Sequence, residues 1–330
     1  MDLVIRPLES HADLARAEAL QQQVWGGPSL VPAATMRAVL EVGGSVLGAW
    51  LGDQLAGFCF GFPGWRRRRP VPPGLEDAAG PGAAGAGAPP PVPGEPGERE
   101  PVFHSDLLAV RPEWRDMGIG RRLKLAQRQW ALAQGLHLIT WTYDPLQARN
   151  GYLNLTRLGG VARRYVREFY GGLDDELNRG LPADRLVIEW YLASGRVARR
   201  AGEDPAAGEA SAPAAGAAAA VPGGAGSTGA GAAADALPIL NGVGEEGGVP
   251  VPRGWRPPRG EPEVGVQIPA RFADWRRERP EWGLGWRFHL REVLEACLEA
   301  GYLLDRCVPP AAASPGGATA LYVLARRASV

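Results

Sequence analysis

The stretch Leu107–Gly120, reading LLAVRPEWRDMGIG, concentrates the chemistry of this 330-residue chain: an apolar run leads through a short loop into Arg115-x-x-Gly118-x-Gly120 and then a helical pattern. Glycines at these positions let the backbone approach a ligand closely. The unpaired N–H groups of a first helical turn, at the positive end of the helix dipole, then form a site for pyrophosphate. Arg115 and Arg121 can add charge-assisted bonds to the phosphates. A bare Gly-x-Gly more often serves a turn, so the reading depends on the strand before it and the amphipathic helix after it. A dinucleotide loop would instead show Gly-x-Gly-x-x-Gly after the first strand and an acidic residue about 20 residues on, and this chain shows neither.

A second group lies just upstream. Period-two alternation places His104, Asp106, Leu108 and Val110 on one strand face. A histidine, with a reference pKa of about 6.5, suits proton removal near neutrality, and a carboxylate two residues along can orient or charge it. The bland alternative is a structural hydrogen-bonding histidine. Glu189 and Asp144 are lesser candidates for the base, each equally readable as an edge carboxylate or a turn former, and Asn150 reads as a helix cap or a substrate-positioning group. The run Arg66–Arg69 reads as solvated charge sooner than as a nucleic-acid contact. Trp65, Trp114, Trp130, Trp141 and Trp190 read as core or rim residues.

The elements that must position these groups follow from hydrophobic spacing. Val4–Pro7 reads as a strand, and Ser10 with Asp13 makes a capping-box-like start to a helix striped by Leu14, Ala17, Leu20 and Val24. Pro32 suits the first turn of a second helix carrying Met36, Val39 and Leu40, and Ser45–Leu51 and Leu55–Phe62 flank a Gly52-Asp53 turn. Phe103–Val110, a helix over Gly118–Gln134 striped by Ile119, Leu123, Ala126, Trp130 and Ala133, and Leu136–Asp144 make a βαβ unit. Its two strands must be parallel while the preceding hairpin is antiparallel, so the sheet is mixed. A helix over Ala148–Leu158 and a strand over Leu186–Leu192 complete the central piece.

Segments 63–101 and 195–262 are dominated by Ala, Gly and Pro and read as a disordered insertion and a low-complexity linker. The expected organisation is a catalytic domain over 1–194, the linker, and an α+β extension over 263–330. In the extension, Val264–Ile268, Tyr302–Val308 and Leu321–Leu324 read as strands, and Trp286, Leu290, Val293, Cys297 and Ala300 as a helical stripe. A piece of under about 70 residues has little core of its own and is expected to dock on the central sheet.

Composition narrows the partners. Hydrophobic residues make up 45% of the chain, enough for a sizeable core, and Lys+Arg equals Asp+Glu at 36 each, so no global field gathers nucleic acid or an anionic membrane. Cys59, Cys297 and Cys307 lie in apolar stretches without metal-ligand spacing and read as reduced core residues. No signal-peptide pattern or long apolar run is present, which points to a cytoplasmic protein with neither a nucleic-acid nor a membrane partner. The oligomeric state is left open, a homodimer included.

At Arg115–Gly120 the sequence resembles the GNAT superfamily, whose pattern [RQ]-x-x-G-x-[GA] lies between the fourth strand and its helix. The resemblance covers about residues 1–194. It extends to a bacterial branch of predicted acetyltransferases with a C-terminal extension through HSDLLAV (His104–Val110), ITWTYDPLQARNGYLNLTRLGG (Ile139–Gly160) and DDELNRGLPADR (Asp174–Arg185). It implies an α/β fold with a mixed sheet and an appended α+β half. It implies acetyl-CoA or another acyl-CoA, succinyl-CoA included, as cosubstrate, with pyrophosphate on the amides of Met117, Gly118, Ile119, Gly120 and Arg121 and pantetheine along Leu108 and Val110. The acceptor would be a small-molecule amine such as an amino acid, acylated directly in a ternary complex with neither metal nor acyl-enzyme. Such transfer needs a neutral amine, oxyanion stabilisation and a proton for the thiolate. A strand-four amide would meet the second need. The tyrosine that many relatives use for the third falls at or beside Leu155, leaving Tyr152 and Asn154 as substitutes. His104 is the first choice of base, with Asp106 beside it. The rival reading is a degenerate domain that binds acyl-CoA without turnover.

Overall fold

The computed structural model describes residues 2–26, 31–75, 97–171, 180–202, 237–276, 279–310 and 319–326. Strand β1 (Leu3–Pro7) leads into α1 (His11–Trp25) and α2 (Ala33–Glu41). The Ser10 hydroxyl caps α1 by accepting the Asp13 N–H at 3.1 Å, and Gly26 ends it in the left-handed region at φ 62°. Strands β2 (Ser45–Leu51), β3 (Gln54–Arg67) and β4 (Arg99–Val110) form an antiparallel meander, followed by α3 (Ile119–Ala133) and β5 (Leu138–Tyr143). After β5 a short α4 (Ala148–Gly151) runs straight into a π-helical segment, Tyr152–Arg157, where a single α-helix was expected. Then come β6 (Val161–Val166), β7 (Arg185–Tyr191) and α5 (Gly195–Ala201).

The remaining chain adds a hairpin of β8 (Asn241–Glu246) and β9 (Val249–Trp255), then β10 (Glu263–Pro269), α6 (Phe272–Trp275), α7 (Pro280–Glu299), β11 (Tyr302–Val308) and β12 (Thr319–Arg326). Ten strands make one sheet in the order β1-β2-β3-β4-β5-β7-β6-β11-β12-β10. The β4–β5 pair is parallel and its neighbours are antiparallel, so the sheet is mixed.

The C-terminal piece docks edge-on. Strand β11 lies against β6 with Leu304 opposite Ala162, and the Thr156 hydroxyl donates to the Cys307 carbonyl at 2.7 Å. Trp286, Leu290, Val293 and Cys297 of α7 share one buried cluster with Phe103, Leu155, Ile188 and Trp190, so the two pieces have a common core. On the N-terminal half, α1 and α2 pack Leu14, Leu20 and Met36 on one face of the sheet with Phe58, Phe60 and Ala109. Helix α3 covers the other face, where Ile119 and Leu123 meet Leu47, Ala49 and Cys59.

Several expectations need correction. Strand β3 continues through Pro63–Arg67 and pairs with Arg99–Phe103, so the expected insertion over 63–101 is mostly ordered at its ends, and residues 76–96 lie outside the described residues. The expected linker over 195–262 holds α5, capped by the Ser194 hydroxyl, and the β8–β9 hairpin. The hairpin turns at Gly247-Gly248, both at positive φ, as a two-residue primed turn requires. Residues 203–236 lie outside the described residues. Strand β6 was not anticipated.

Candidate active site

The site begins where two strands part. Strand β4 pairs with β5 only at Phe103–Ile139 and His104–Thr140. Beyond that, Ser105–Val110 and Trp141–Tyr143 run on without pairing to each other, leaving a wedge-shaped opening and an unpaired edge on β4. Helix α3 starts at the same end. Its N-cap, Gly118, sits at φ 75° with no side-chain cap, so the first amides of α3 are free for a ligand.

That conformation favours glycine at Gly118, and Asp116, two residues earlier, is also left-handed at φ 67°. Gly120 is different. A Cβ there would lie 3.7 Å from Leu108 and 3.9 Å from Val110, ordinary contact distances, so packing does not demand glycine and its bareness leaves room beside the helix terminus. Met117 and Arg115 are exposed at the loop, and the Arg115 Nε donates to the Val110 carbonyl at 3.4 Å. Arg121 reaches the Arg200 carbonyl of α5, while its buried Nε has no hydrogen-bond partner. Burial and the neighbouring Arg157 lower its pKa. These residues fit a pyrophosphate.

The strand-four face is not as the alternation implies. Phe60 registers with Leu107 but Gly61 with Ser105, so Asp106 is an extra residue bulged out of the β3–β4 ladder. The bulge reverses the parity. His104 shares a face with Phe62, its register partner, and with Leu107 and Ala109, whereas Leu108 and Val110 share the α3 face with Ser105. His104 packs on the Phe62 ring at 5.5 Å between centroids, with Nδ1 3.4 Å from the Thr140 hydroxyl and Nε2 3.9 Å from the Asp106 carboxylate. Burial, with Lys124 nearby, brings the imidazole down to about 4, so it is neutral at pH 7; burial also raises Asp106. The opening therefore separates two chemistries: the helix terminus on one face, His104 and Asp106 toward the other.

Other candidates fall elsewhere. Glu189 registers with Thr140 but is locked, 2.5 Å from Arg66 and 2.8 Å from Arg163, with Tyr191 donating to it at 3.1 Å. Burial pushes its carboxyl up, yet the two guanidiniums outweigh it and hold the group below the usual range. The Arg66–Arg69 run is thus not simply solvated. Asp144 is a turn former, accepting the Leu146 N–H at 2.9 Å, and pairs with the buried Arg287 of α7 at 2.8 Å. Asn150 is exposed on α4. Tyr152 packs half-buried on the shared core, and the buried Asn154 accepts the Gly160 N–H through its carbonyl at 2.9 Å. Among the described residues no hydrogen bond joins either side chain to His104 or Asp106. Leu155 is fully buried.

Sequence reasoning missed Lys124, the chain's only lysine, which is 2% exposed. Its ammonium donates to the Ser105 hydroxyl at 2.6 Å and Gln127 at 3.3 Å and lies 3.9 Å from the Trp141 ring centroid. Burial brings it down to about 7. The polar position in the α3 stripe was the available signal. Among the described residues no group of His, Cys, Asp and Glu could hold a metal ion, and no helix is long and apolar enough to cross a membrane.

Residues 18–154 match the model of the acetyltransferase (GNAT) family. No curated protein matches the sequence. Among solved structures, the chain is similar to the ribosomal-protein-S18-alanine N-acetyltransferase from Escherichia coli, at 15% identity over 58% of this chain and 94% of that one, with a TM-score of 0.40. It is also similar to an acetyltransferase of the GNAT family from Streptococcus pneumoniae, at 16% identity over 57% and 98% of the two chains and a TM-score of 0.40. A third is Arabidopsis thaliana NAA60 in complex with acetyl-CoA, at 15% identity over 58% and 99%, with a TM-score of 0.39.

Proposed function

Taking residues 18–154 as a GNAT acetyltransferase domain, we propose that this chain moves an acetyl or succinyl-like group from acyl-CoA directly onto the primary amine of a small molecule. The observation that carries the reading is the parting of β4 from β5 just past His104–Thr140, with the uncapped N-terminus of α3 beside the gap.

Each requirement of the reaction has a group to meet it. The amides of Gly118–Arg121, with Arg115 and Arg121, take the pyrophosphate. The unpaired β4 edge at Leu108 and Val110 takes the pantetheine by strand-like pairing. The bulge at Asp106 frees a backbone amide from the ladder, and such an amide stabilises the oxyanion of the tetrahedral intermediate. His104, neutral at pH 7, holds the incoming amine with Asp106 beside it and receives its proton as the nitrogen bonds to the thioester carbonyl. As the carbon–sulfur bond breaks, the thiolate takes up a proton, for which Tyr152 is the phenol on the segment after β5. Glu189 is assigned to holding Arg66 and Arg163.

The test is to incubate purified protein with acetyl- or succinyl-CoA and a panel of small amines while following free thiol. Amine-dependent thiol release is expected. Tight acyl-CoA binding without turnover on any amine would make the domain a binding module instead.

A further inference from the structure

Four guanidinium groups gather on the sheet face that carries His104. Arg66 comes from β3, where it pairs with Glu100 at 2.7 Å and Glu189 at 2.5 Å. Arg163 and Arg164 come from β6. A bulge between Ala162 and Arg164 interrupts the alternation there, so that Arg163 reaches Glu189 and Tyr191 while Arg164 registers with Val187, on the same side of β7 as Glu189. Arg69, just past the end of β3, is half-buried beside the other three, and burial followed by the repulsion of Arg164, offset in part by Glu189, lowers its pKa.

Among the described residues the charges do not balance. Glu100 and Glu189 are the carboxylates paired within the cluster, and neither Arg69 nor Arg164 has an ion-pair partner among the described residues. The Arg66 Nη2 is buried with no hydrogen-bond partner. Holding Glu189 in place needs at most two of these arginines; Arg69 is half-buried and Arg164 exposed beside them, so their charge is open to an anion arriving from solvent.

Register fixes the distance to the reacting centre. Glu189 lies opposite Thr140, and Thr140 opposite His104, so the carboxylate around which the cluster gathers is two strand spacings, roughly 10 Å along the sheet, from His104. We propose that Arg66, Arg69, Arg163 and Arg164 form an anion subsite of the acceptor pocket that takes a carboxylate carried several bonds away from the reacting amine. This rests on the N-acyltransferase reading and selects, within it, an elongated amino acid over both a neutral amine and a short α-amino acid.

The test compares 6-aminohexanoate with hexylamine and glycine in the wild type, in Arg69→Ala/Arg164→Ala and in Arg69→Lys/Arg164→Lys. These two positions are chosen because Arg66 and Arg163 also hold Glu189, and melting curves check that the variants fold. The wild type should favour 6-aminohexanoate about 10- to 100-fold in kcat/KM, as a charge-assisted contact provides, mainly through KM. The alanine pair should bring that ratio near one, and the lysine pair should restore part of it. Equal use of 6-aminohexanoate and hexylamine by the wild type, or a preference that survives in the alanine pair, overturns the subsite. Calorimetric titration of 6-aminohexanoate with CoA present separates the two readings. Binding lost in the alanine pair supports the subsite even where no amine is acylated, and failure of the wild type to bind overturns it.

Discussion

His104 and Thr140 are the last register pair between β4 and β5, with the imidazole Nδ1 3.4 Å from the threonine hydroxyl, and past them the strands separate. The histidine thus stands at the apex of the opening. Because burial holds it down to about 4, it stays neutral until the pH falls toward that value. The acidic limb of kcat should therefore show no break near 6.5. His104→Ala should lower kcat by about 10²- to 10⁴-fold while CoA affinity, titrated separately, is retained. Near-normal turnover with the same acidic limb would make His104 structural.

Lys124 is a second base that burial pushes down. An unfolded lysine protonates below about 10.4, but the folded one only below about 7, so folding expels a proton between these values and stability rises with pH across that window. Lys124→Met, of similar volume, should raise stability on the order of a few kcal/mol at and below pH 7, an advantage that fades toward pH 10. Thermal melts at pH 6, 8 and 10 check it. A variant less stable at every pH would mean that the bonds to Ser105 and Gln127 outweigh the burial.

Glu189 is 1% exposed between Arg66 and Arg163. Glu189→Gln leaves both guanidiniums without their buried counter-charge and should cost about 3–5 kcal/mol, read as a lower urea midpoint. Its folded pKa is depressed, so its contribution is present above the unfolded value of about 4.3 and is lost as the pH falls through the lower folded one. The difference between wild type and variant should shrink below pH 4. An unchanged midpoint at pH 7 would contradict the buried network.

Deleting residues 263–330 removes α7 and should bare the core surface it covers, Leu155, Ile188 and Trp190 among it, together with the open edge of β6, and cause aggregation. Arg287→Ala probes the same dock more gently by leaving Asp144 unpaired, with a cost of about 3–5 kcal/mol expected in denaturant melts. A soluble truncation with full activity would show the dock to be dispensable.

The loop and helix around Gly118 were legible because strand, glycine pair and amphipathic stripe occur in order, each with a local physical cause. The face of His104 was not. A bulge depends on how β3 and β4 pair, and the one extra residue at Asp106 reverses every alternation beyond it. Strand β6 escaped for a related reason, since consecutive Arg163 and Arg164 break period two across another bulge. The β8–β9 hairpin was concealed by its Gly- and Pro-rich composition, although Gly247-Gly248 is a turn signal. The partner of Arg66 lies 123 residues away, a separation at which spacing carries no information.

The most direct measurement is calorimetric titration of CoA into the wild type and into a folded Gly120→Glu protein. A carboxylate at Gly120 would occupy the room beside the α3 terminus and repel the pyrophosphate. Binding by the wild type and none by the variant is the expected result. Unchanged affinity in Gly120→Glu would contradict the assignment of the opening and its helix terminus as the acyl-CoA site.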